Sequence, residues 1–194
     1  MLVLYALSGL NIEDKQTTTM HDSAYQNAAK FYNEYLKDLP AEAVIVDVGS
    51  YEVDKKSMKP IFSKHRYIGV DICKGPNVDI INKDYVIPLA DESCDAVVSS
   101  SCFEHDEMFW LTFLEMVRLV KPNGYIYICA PSTGPYHGYP GDCWRFYKDS
   151  WKALAAWAKR NGKNITLVKN YIDNVGPRDE WHDNVGIYHK PASN

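Results

Sequence analysis

The sequence predicts a doubly wound α/β fold, in which a mostly parallel sheet holds a nucleotide-like ligand at the carboxyl ends of its strands. The first observation is the apolar run of residues 43–53, AVIVDVGSYEV, which breaks at a Gly-Ser pair. Such a run indicates a buried parallel strand that leads into a tight loop. The second observation is Asp71, which ends another apolar segment 24 residues after Asp47. An acidic residue at about that distance binds ribose hydroxyls in nucleotide-binding folds, although Asp71 could instead simply cap the next turn.

The bulk composition is that of one ordinary globular domain. The chain has 194 residues and a net charge of −4, which argues against a dedicated nucleic-acid binder. Its five cysteines form no C-x-x-C pair, a pattern typical of reduced thiols in a cytoplasm rather than of disulfides or a zinc site. The apolar start, MLVLYALSGL, lacks a positive flank and is about half a membrane span, so we expect no signal peptide or membrane anchor. It is expected to pack on the domain or to mediate self-association.

Hydrophobic periodicity predicts the remaining elements in order. A helix is expected from Ser23, which forms a capping box with Gln26, to Leu39 before a proline. Further helices are expected at residues 54–64, from the cap Asp106 to a turn at residues 121–124, and from residue 149 or 150 to 161. Strands are expected at residues 66–71, 78–81, 95–101, 124–130, 165–172 and 186–190.

Four sequence blocks together carry a family resemblance. They are VIVDVGS, YIGVDI, DAVVSSSCFEHDE and EMVRLVKPNGYIYICAPS, and they span residues 44–132. In this order and spacing the chain resembles the class I S-adenosylmethionine-dependent methyltransferases of the small, type 11-like kind. The resemblance implies a Rossmann-like seven-stranded sheet, mostly parallel with an antiparallel C-terminal edge and helices on both faces. It also implies a helix within residues 1–40 over the cofactor site and a core at residues 41–190. The tail at residues 191–194, PASN, is expected to be disordered.

The resemblance assigns the cofactor, S-adenosylmethionine, to residues at the ends of the strands. The matching positions are Asp47, Gly49, Ser50 and Tyr51 around the methionine portion, Asp71 on the ribose, Ile72 by the adenine, Asp84 with Tyr85 at the adenine amino group, and Ser100, Ser101 and His105 bordering the cofactor. One departure is that Tyr51 and Val53 stand where the family usually has glycines. A subset of the family with a GSY-type loop and a G-P-x-V-D segment is similar in this respect, and residues 75–79, GPNVD, resemble that segment.

The segment at residues 136–147, YHGYPGDCWRFY, resembles a loop after the fifth strand in small family members with an H-x-x-P-x-D-x-W-R-F pattern. The resemblance implies a role in binding the methyl acceptor for Tyr136, His137, Tyr139, Asp142, Trp144 and Arg145. Some of those relatives belong to sugar and polysaccharide biosynthesis. The alternative is a rigid surface loop held by a tryptophan and an Arg–Asp pair.

Methyl transfer is an in-line displacement at a carbon on sulfonium sulfur, so the protein chiefly has to align the acceptor and exclude water. A hydroxyl or protonated amine acceptor also needs a base, for which His137 is the first candidate and His105 the second. His105 could instead only pack beside the cofactor. No metal is expected.

The prediction is therefore a cytoplasmic methyltransferase, monomeric or homodimeric, that acts on a small molecule, with a hydroxyl of a sugar or metabolite as the first candidate. No nucleic-acid or membrane partner is expected. Two alternatives stay open. A nicotinamide-dependent oxidoreductase shares the architecture, although the sequence lacks its G-x-G-x-x-G fingerprint. A non-catalytic binding or scaffold protein is compatible with the altered glycine loop.

Overall fold

The computed structural model describes residues 22–53, 56–138, 141–173 and 182–192. The predictions for residues 1–21, for Tyr139 and for the end of the C-terminal tail lie outside these residues. Within the described ranges, no helix is long and apolar enough to cross a membrane.

The described part of the chain forms a sheet of seven strands in the order β3-β2-β1-β4-β5-β7-β6. The strands are β1 Val44–Val48, β2 Arg66–Asp71, β3 Ile80–Ile81, β4 Cys94–Ser100, β5 Val120–Pro131, β6 Thr166–Ile172 and β7 Asp183–His189. The pairs among β1 to β5 are parallel, whereas β7 is antiparallel to both β5 and β6. This arrangement confirms the predicted Rossmann-like sheet with its antiparallel C-terminal edge.

Helices cover both faces of the sheet, as predicted. Helices α2 (Phe109–Leu119) and α3 (Ser150–Arg160) pack on one face, against strand residues such as Val46, Val97 and Ile126. Helix α1 (Asp22–Phe31) packs on the opposite face, and the chain continues from it as a π-helix at Tyr32–Leu36. Neighbouring strand residues point to opposite faces, so continuously apolar strands can bury both.

The helix predicted at residues 54–64 is wrong. The described residues of this segment form an isolated bridge between Val53 and Lys56, followed by a short 3-10 helix, Lys59–Phe62. Pro60 explains the difference, because proline cannot donate the backbone hydrogen bond that a helix interior requires and its ring clashes with the preceding turn. The segment still contributes to the core, since Met58 and Phe62 are buried with α1.

The capping box predicted at Ser23 is also wrong. The Ser23 hydroxyl donates a 2.9 Å hydrogen bond to Asp183 of β7 instead of capping its own helix. Nearby, the Asn27 side chain donates to Asp173 and accepts from the Tyr171 hydroxyl. These polar contacts, together with the Phe31 ring stacked 4.9 Å from Tyr127, hold α1 over the β5–β7 region.

The strand order indicates where a ligand would bind. From the centre of the sheet, β1, β2 and β3 follow one another towards one side, whereas β4 and β5 follow one another towards the other side. The crevice where the order reverses, between the carboxyl ends of β1 and β4, is the usual ligand site in open α/β sheets.

Candidate active site

The loop after β1 packs directly against the loop after β4. Gly49 has a φ of 85°, and a Cβ placed there would lie 2.4 Å from both Cβ and Sγ of Cys102. Only glycine therefore fits this position, on grounds of both backbone conformation and space. The Gly49 and Ser50 backbone N–H groups both donate to the Val70 carbonyl, and this fixes the loop against β2.

Asp47 is a buried carboxylate near the end of β1. One carboxylate oxygen accepts a hydrogen bond from the Tyr67 hydroxyl, while the other, Oδ1, has no hydrogen-bond partner among the described residues. Burial raises the pKa of Asp47 to about 7, with a smaller contribution from the charge of Asp71, although the hydrogen bond from Tyr67 acts in the opposite direction. A buried carboxylate oxygen without a partner would be stabilised by a cationic group. The position therefore suits a positively charged ligand.

Asp71 lies at the end of β2, where its carboxylate joins the loop after β1 to the loop after β2. Its Oδ2 accepts a 3.0 Å hydrogen bond from the Tyr51 N–H, and its Oδ1 accepts a 3.2 Å bond from the Cys73 N–H. Each carboxylate oxygen can accept a further bond, so the group retains capacity for a pair of hydroxyls. The neighbouring Ile72 side chain is 68% exposed.

The structure explains how Tyr51 is accommodated in place of a glycine. Its ring packs on Gly75, where an added Cβ would lie 2.1 Å from the Tyr51 Cε2 atom. Asn77, two residues further on, donates to the Ser50 carbonyl and accepts from the Ser50 hydroxyl through its own carbonyl. The GSY loop and the GPNVD segment are therefore one packed unit, and the tyrosine ring lies on the segment that follows β2.

Asp84 and Tyr85 form a tight turn in which both residues are left-handed, with φ values of 53° and 59°. Asp84 is exposed, whereas Tyr85 is half-buried beside Asp106. Burial raises the pKa of Tyr85 to about 12, and the Asp106 carboxylate adds to this shift. Tyr85 thus links this turn to the loop after β4, and Asp84 stays open to solvent.

Ser100 and Ser101 lie where β4 ends. Ser100 is buried and its hydroxyl has no hydrogen-bond partner among the described residues, while Ser101 is left-handed, with a φ of 50°, and donates its N–H to Cys129. An unpartnered buried hydroxyl beside the β1 loop is a second polar group available to a ligand.

Beyond Cys102, the structure brings both predicted catalytic histidines together with a third residue. The His105 and His137 rings are 4.9 Å apart and nearly perpendicular. His105 Nδ1 is within hydrogen-bond distance of the Gly141 carbonyl, and His137 Nδ1 lies 3.2 Å from the Asp142 carboxylate. Burial lowers the pKa of His137, although the Asp142 charge opposes this shift.

The third residue is Glu104, which is not among the site residues predicted from the sequence. Its side chain is only 2% exposed, Oε1 lies 3.7 Å from His105 Nε2, and Oε2 has no hydrogen-bond partner among the described residues. Burial raises the pKa of Glu104 to about 8. The only sequence signal was its place beside His105 in the loop after β4. We call Glu104, His105 and His137 the Glu-His-His cluster.

Asp142 and Arg145 form the ion pair of the alternative prediction, in which this loop is a rigid surface loop. Arg145 donates to both Asp142 oxygens, at 2.5 and 2.7 Å, and to the Pro135 carbonyl. Although burial opposes the shift, the hydrogen bonds from Arg145 and from the His137 N–H lower the pKa of Asp142 to about 2. The pair fixes the backbone at the Pro135 carbonyl and at the His137 N–H.

The loop after β5 is tied to the loop after β4. The Cys143 and Trp144 N–H groups both donate to the Glu104 carbonyl, and Trp144 Nε1 donates to the Asp106 carbonyl. Three aromatic side chains of the loop after β5 are exposed to solvent: Tyr136 is 74% exposed, Tyr147 69% and Trp144 37%. Tyr136 and Trp144 were predicted to bind the acceptor, whereas Tyr147 was not.

The comparisons with known proteins agree with this geometry. Residues 27–128 match the family described as methyltransferase domain, which is more than half of the chain. An uncharacterised methyltransferase of Mycobacterium ulcerans is 30% identical over 89 residues, which are 45% of this chain and 34% of that protein. The chain thus spans about a third of the length of this curated relative.

Two solved structures show the same fold. The Burkholderia thailandensis 1,6-didemethyltoxoflavin-N1-methyltransferase, crystallised with 1,6-didemethyltoxoflavin and S-adenosylhomocysteine, aligns with a TM-score of 0.60 and 16% identity over 87% of this chain and 84% of its own. A Methanosarcina mazei S-adenosylmethionine-dependent methyltransferase aligns with a TM-score of 0.62 and 13% identity over 84% of this chain and 98% of its own. The family match over residues 27–128 and the fold shared with these structures confirm the resemblance. The chain belongs to the methyltransferase-domain family of class I S-adenosylmethionine-dependent methyltransferases.

Proposed function

We propose that this chain transfers a methyl group from S-adenosylmethionine to a hydroxyl of a small molecule, with a sugar or a related metabolite as the acceptor class. The observation that carries the proposal is the contact between Gly49 and Cys102 at the switch point of the sheet. It joins a nucleotide-type loop, which is hydrogen-bonded to Asp71 at the end of β2, to the loop that presents the Glu-His-His cluster. A donor and an acceptor bound on the two sides would meet at this junction.

The residues of the cofactor half fit S-adenosylmethionine. Asp47 offers a buried, unpartnered carboxylate oxygen for the positively charged methionine portion, and Ser100 offers a buried hydroxyl. Asp71 retains acceptor capacity for the ribose hydroxyls, and the exposed Ile72 offers an apolar contact for the adenine. When bound, S-adenosylmethionine supplies a methyl group on a positively charged sulfur, which is already strongly electrophilic. The chain's own task is to hold the acceptor in line and to exclude water.

The acceptor half combines aromatic surface with a few fixed polar groups, which is the usual composition of a small-molecule site. Tyr136 and Trp144 offer exposed ring faces, and the Asp142–Arg145 pair holds the loop rigid between them. His137, with His105 beside it, is placed to take the proton of an acceptor hydroxyl. We assign His137 as the first candidate base for this reason.

We also propose that α1 covers the cofactor half, as the resemblance implied. Asp22 of α1 lies 3.3 Å from Lys56 in the segment after the β1 loop. An open cleft of about 430 Å³ lies between these two segments and is lined by Tyr25, Gln26 and Glu52 among others. The N-terminal helix and the residues that follow the β1 loop therefore form the two walls of this cleft.

The experiment that tests the proposal is calorimetric titration of the purified chain with S-adenosylmethionine and S-adenosylhomocysteine. We expect micromolar binding of both. Asp71→Ala should weaken it about 100-fold, because two hydrogen bonds to a charged group are together worth about 3 kcal/mol. Asp71→Asn, which keeps one acceptor oxygen for the loop, should show an intermediate loss.

Asp38→Ala, which removes an exposed carboxylate after the π-helix, is the matched control and should bind as the unmodified chain does. If the unmodified chain binds neither compound, the proposal is wrong and a non-catalytic role becomes the better interpretation.

A further inference from the structure

We propose that Glu104, His105 and His137 bind a divalent transition-metal ion such as Zn²⁺. One ligand atom from each residue, two imidazole nitrogens and one carboxylate oxygen, lies within 4.8 Å of the others. Two histidines and one carboxylate are a common donor set for zinc and for other first-row metals in open sites. In a tetrahedral zinc site such atoms lie about 3.4 Å apart, so the ligands would close by roughly 1 Å around the ion.

The surroundings of both histidines match those of metal ligands. His105 Nδ1 is directed at the Gly141 carbonyl, and His137 Nδ1 lies 3.2 Å from the Asp142 carboxylate. Metal-binding histidines usually donate their second ring N–H to a carbonyl or carboxylate in this way, which fixes the tautomer and the ring orientation. Arg145 in turn holds Asp142 in place through two hydrogen bonds.

Glu104 supplies the independent observation that the cluster has a buried oxygen available to a cation. Its side chain is 98% buried, and among the described residues nothing forms a hydrogen bond with Oε2. A buried carboxylate is costly unless it is paired with a cation or coordinates a metal. Hydrogen bonds between the two loops hold the Glu104 backbone in this buried position, because its carbonyl accepts from the Cys143 and Trp144 N–H groups.

The role of the ion in methyl transfer rests on the proposed function. Three protein ligands leave a coordination position open, and a hydroxyl bound there would lose its proton more readily. The two histidines would then be ligands, and the ion would take over the task that we assigned to His137 as a base. Methyl transfer should in that case depend on the added metal.

The test is titration of the chelator-treated full chain with Zn²⁺ by calorimetry and with Co²⁺ by visible absorption. Cys73 and Cys143 are exposed thiols, so both are replaced by serine in every sample to keep them from binding the probe ions. We expect one ion per chain. Glu104→Gln, His105→Ala and His137→Ala should each weaken its binding at least tenfold, and Asp142→Asn about 10- to 100-fold.

The matched control is His189→Ala, which removes a histidine at the end of β7 that contacts Tyr125 in the middle of β5, away from the carboxyl ends of the parallel strands. It should bind the ion unchanged. Thermal unfolding of each variant checks that it is folded, and Glu104→Gln preserves the side-chain shape should an alanine variant not fold. Absence of stoichiometric binding, or equal binding by all the variants, would overturn the proposal.

S-adenosylhomocysteine titration of the same samples separates the two proposals. Cofactor binding without metal binding removes only the metal site. Metal binding without cofactor binding leaves the metal site in place and contradicts the proposed function.

Discussion

Asp47 is held out of water at the end of β1, where it faces Tyr67 and Asp71 of β2 and the apolar Val98 of β4. Its pKa is raised from 3.8 to about 7 by burial. The folded chain therefore binds this proton more tightly than the unfolded chain does. The resulting stability is fully present below pH about 4 and is lost as the pH rises to about 7.

Asp47→Asn should remove this pH dependence. The amide cannot ionise and can still accept the Tyr67 hydrogen bond, so the free energy of unfolding at pH 8 should rise by on the order of 4 kcal/mol. At pH 4 the variant and the unmodified chain should differ little. Urea unfolding at both pH values measures this, with Asp38→Asn as the exposed control. An equal change at pH 4 and pH 8 would show that Asp47 acts through packing instead.

We proposed His137 as the base that takes the proton of the acceptor hydroxyl. His137→Asn should lower kcat by about 100-fold or more, since a positioned proton acceptor contributes typically 10²- to 10⁴-fold. KM for S-adenosylmethionine should stay unchanged, because we propose that His137 lies in the acceptor half and not in the cofactor half. The measurement is steady-state formation of S-adenosylhomocysteine with a panel of sugars and other hydroxylated metabolites. An unchanged kcat, or a rise in the KM for S-adenosylmethionine alone, would contradict this assignment.

At the scale of elements, α2 holds the connection between β3 and β4. Arg118 of α2 donates to the carbonyls of Ile87 and Leu89 and to the carboxylates of Asp91 and Glu115. Glu115 also accepts from the Ile87 N–H, so helix and loop share one network. A planar guanidinium suits this geometry, because it presents its donors as a fixed fork.

Arg118→Lys should therefore lower the free energy of unfolding by about 1 to 2 kcal/mol, and Arg118→Ala by about 3 kcal/mol, because buried acceptors are left without donors. Arg160→Ala at the exposed end of α3 is the control and should change stability by less than about 0.5 kcal/mol. Urea unfolding of the three variants gives the comparison. A lysine variant as stable as the unmodified chain would mean that charge alone, and not the fork, stabilises this network.

At the scale of the whole molecule, the strand order makes one site from distant parts of the chain. Residues near positions 50, 71, 104 and 140 meet at one edge because parallel strands all end there and because the order reverses between β1 and β4. The antiparallel β7 closes the other side of β5, and its Asp183 accepts the Ser23 hydroxyl of α1. Helix α1, which we propose as the cover of the cofactor half, is thus held by β7, the last strand of the chain.

The sequence by itself determined the sheet, the family and the residues at the strand ends. Buried parallel strands correspond to apolar runs in the sequence, which here end before Gly49 and at Asp71. Such a run can be recognised from residues that are neighbours in the sequence. The helix predicted at residues 54–64 was wrong because Pro60 overrides an otherwise acceptable periodicity. Element identity follows from neighbouring residues, and so it could be predicted.

The tertiary structure decided which side chains meet. The packing of Tyr51 on Gly75, the hydrogen bond from Tyr67 to Asp47 and the place of Glu104 beside two histidines all join residues from different loops or strands. The hydrophobic periodicity of the sequence cannot predict these contacts, because they depend on the directions in which the loops leave the sheet and on which side chains remain buried. Burial then sets the chemistry, since a carboxylate such as Glu104 changes its proton affinity only after the fold has removed it from water.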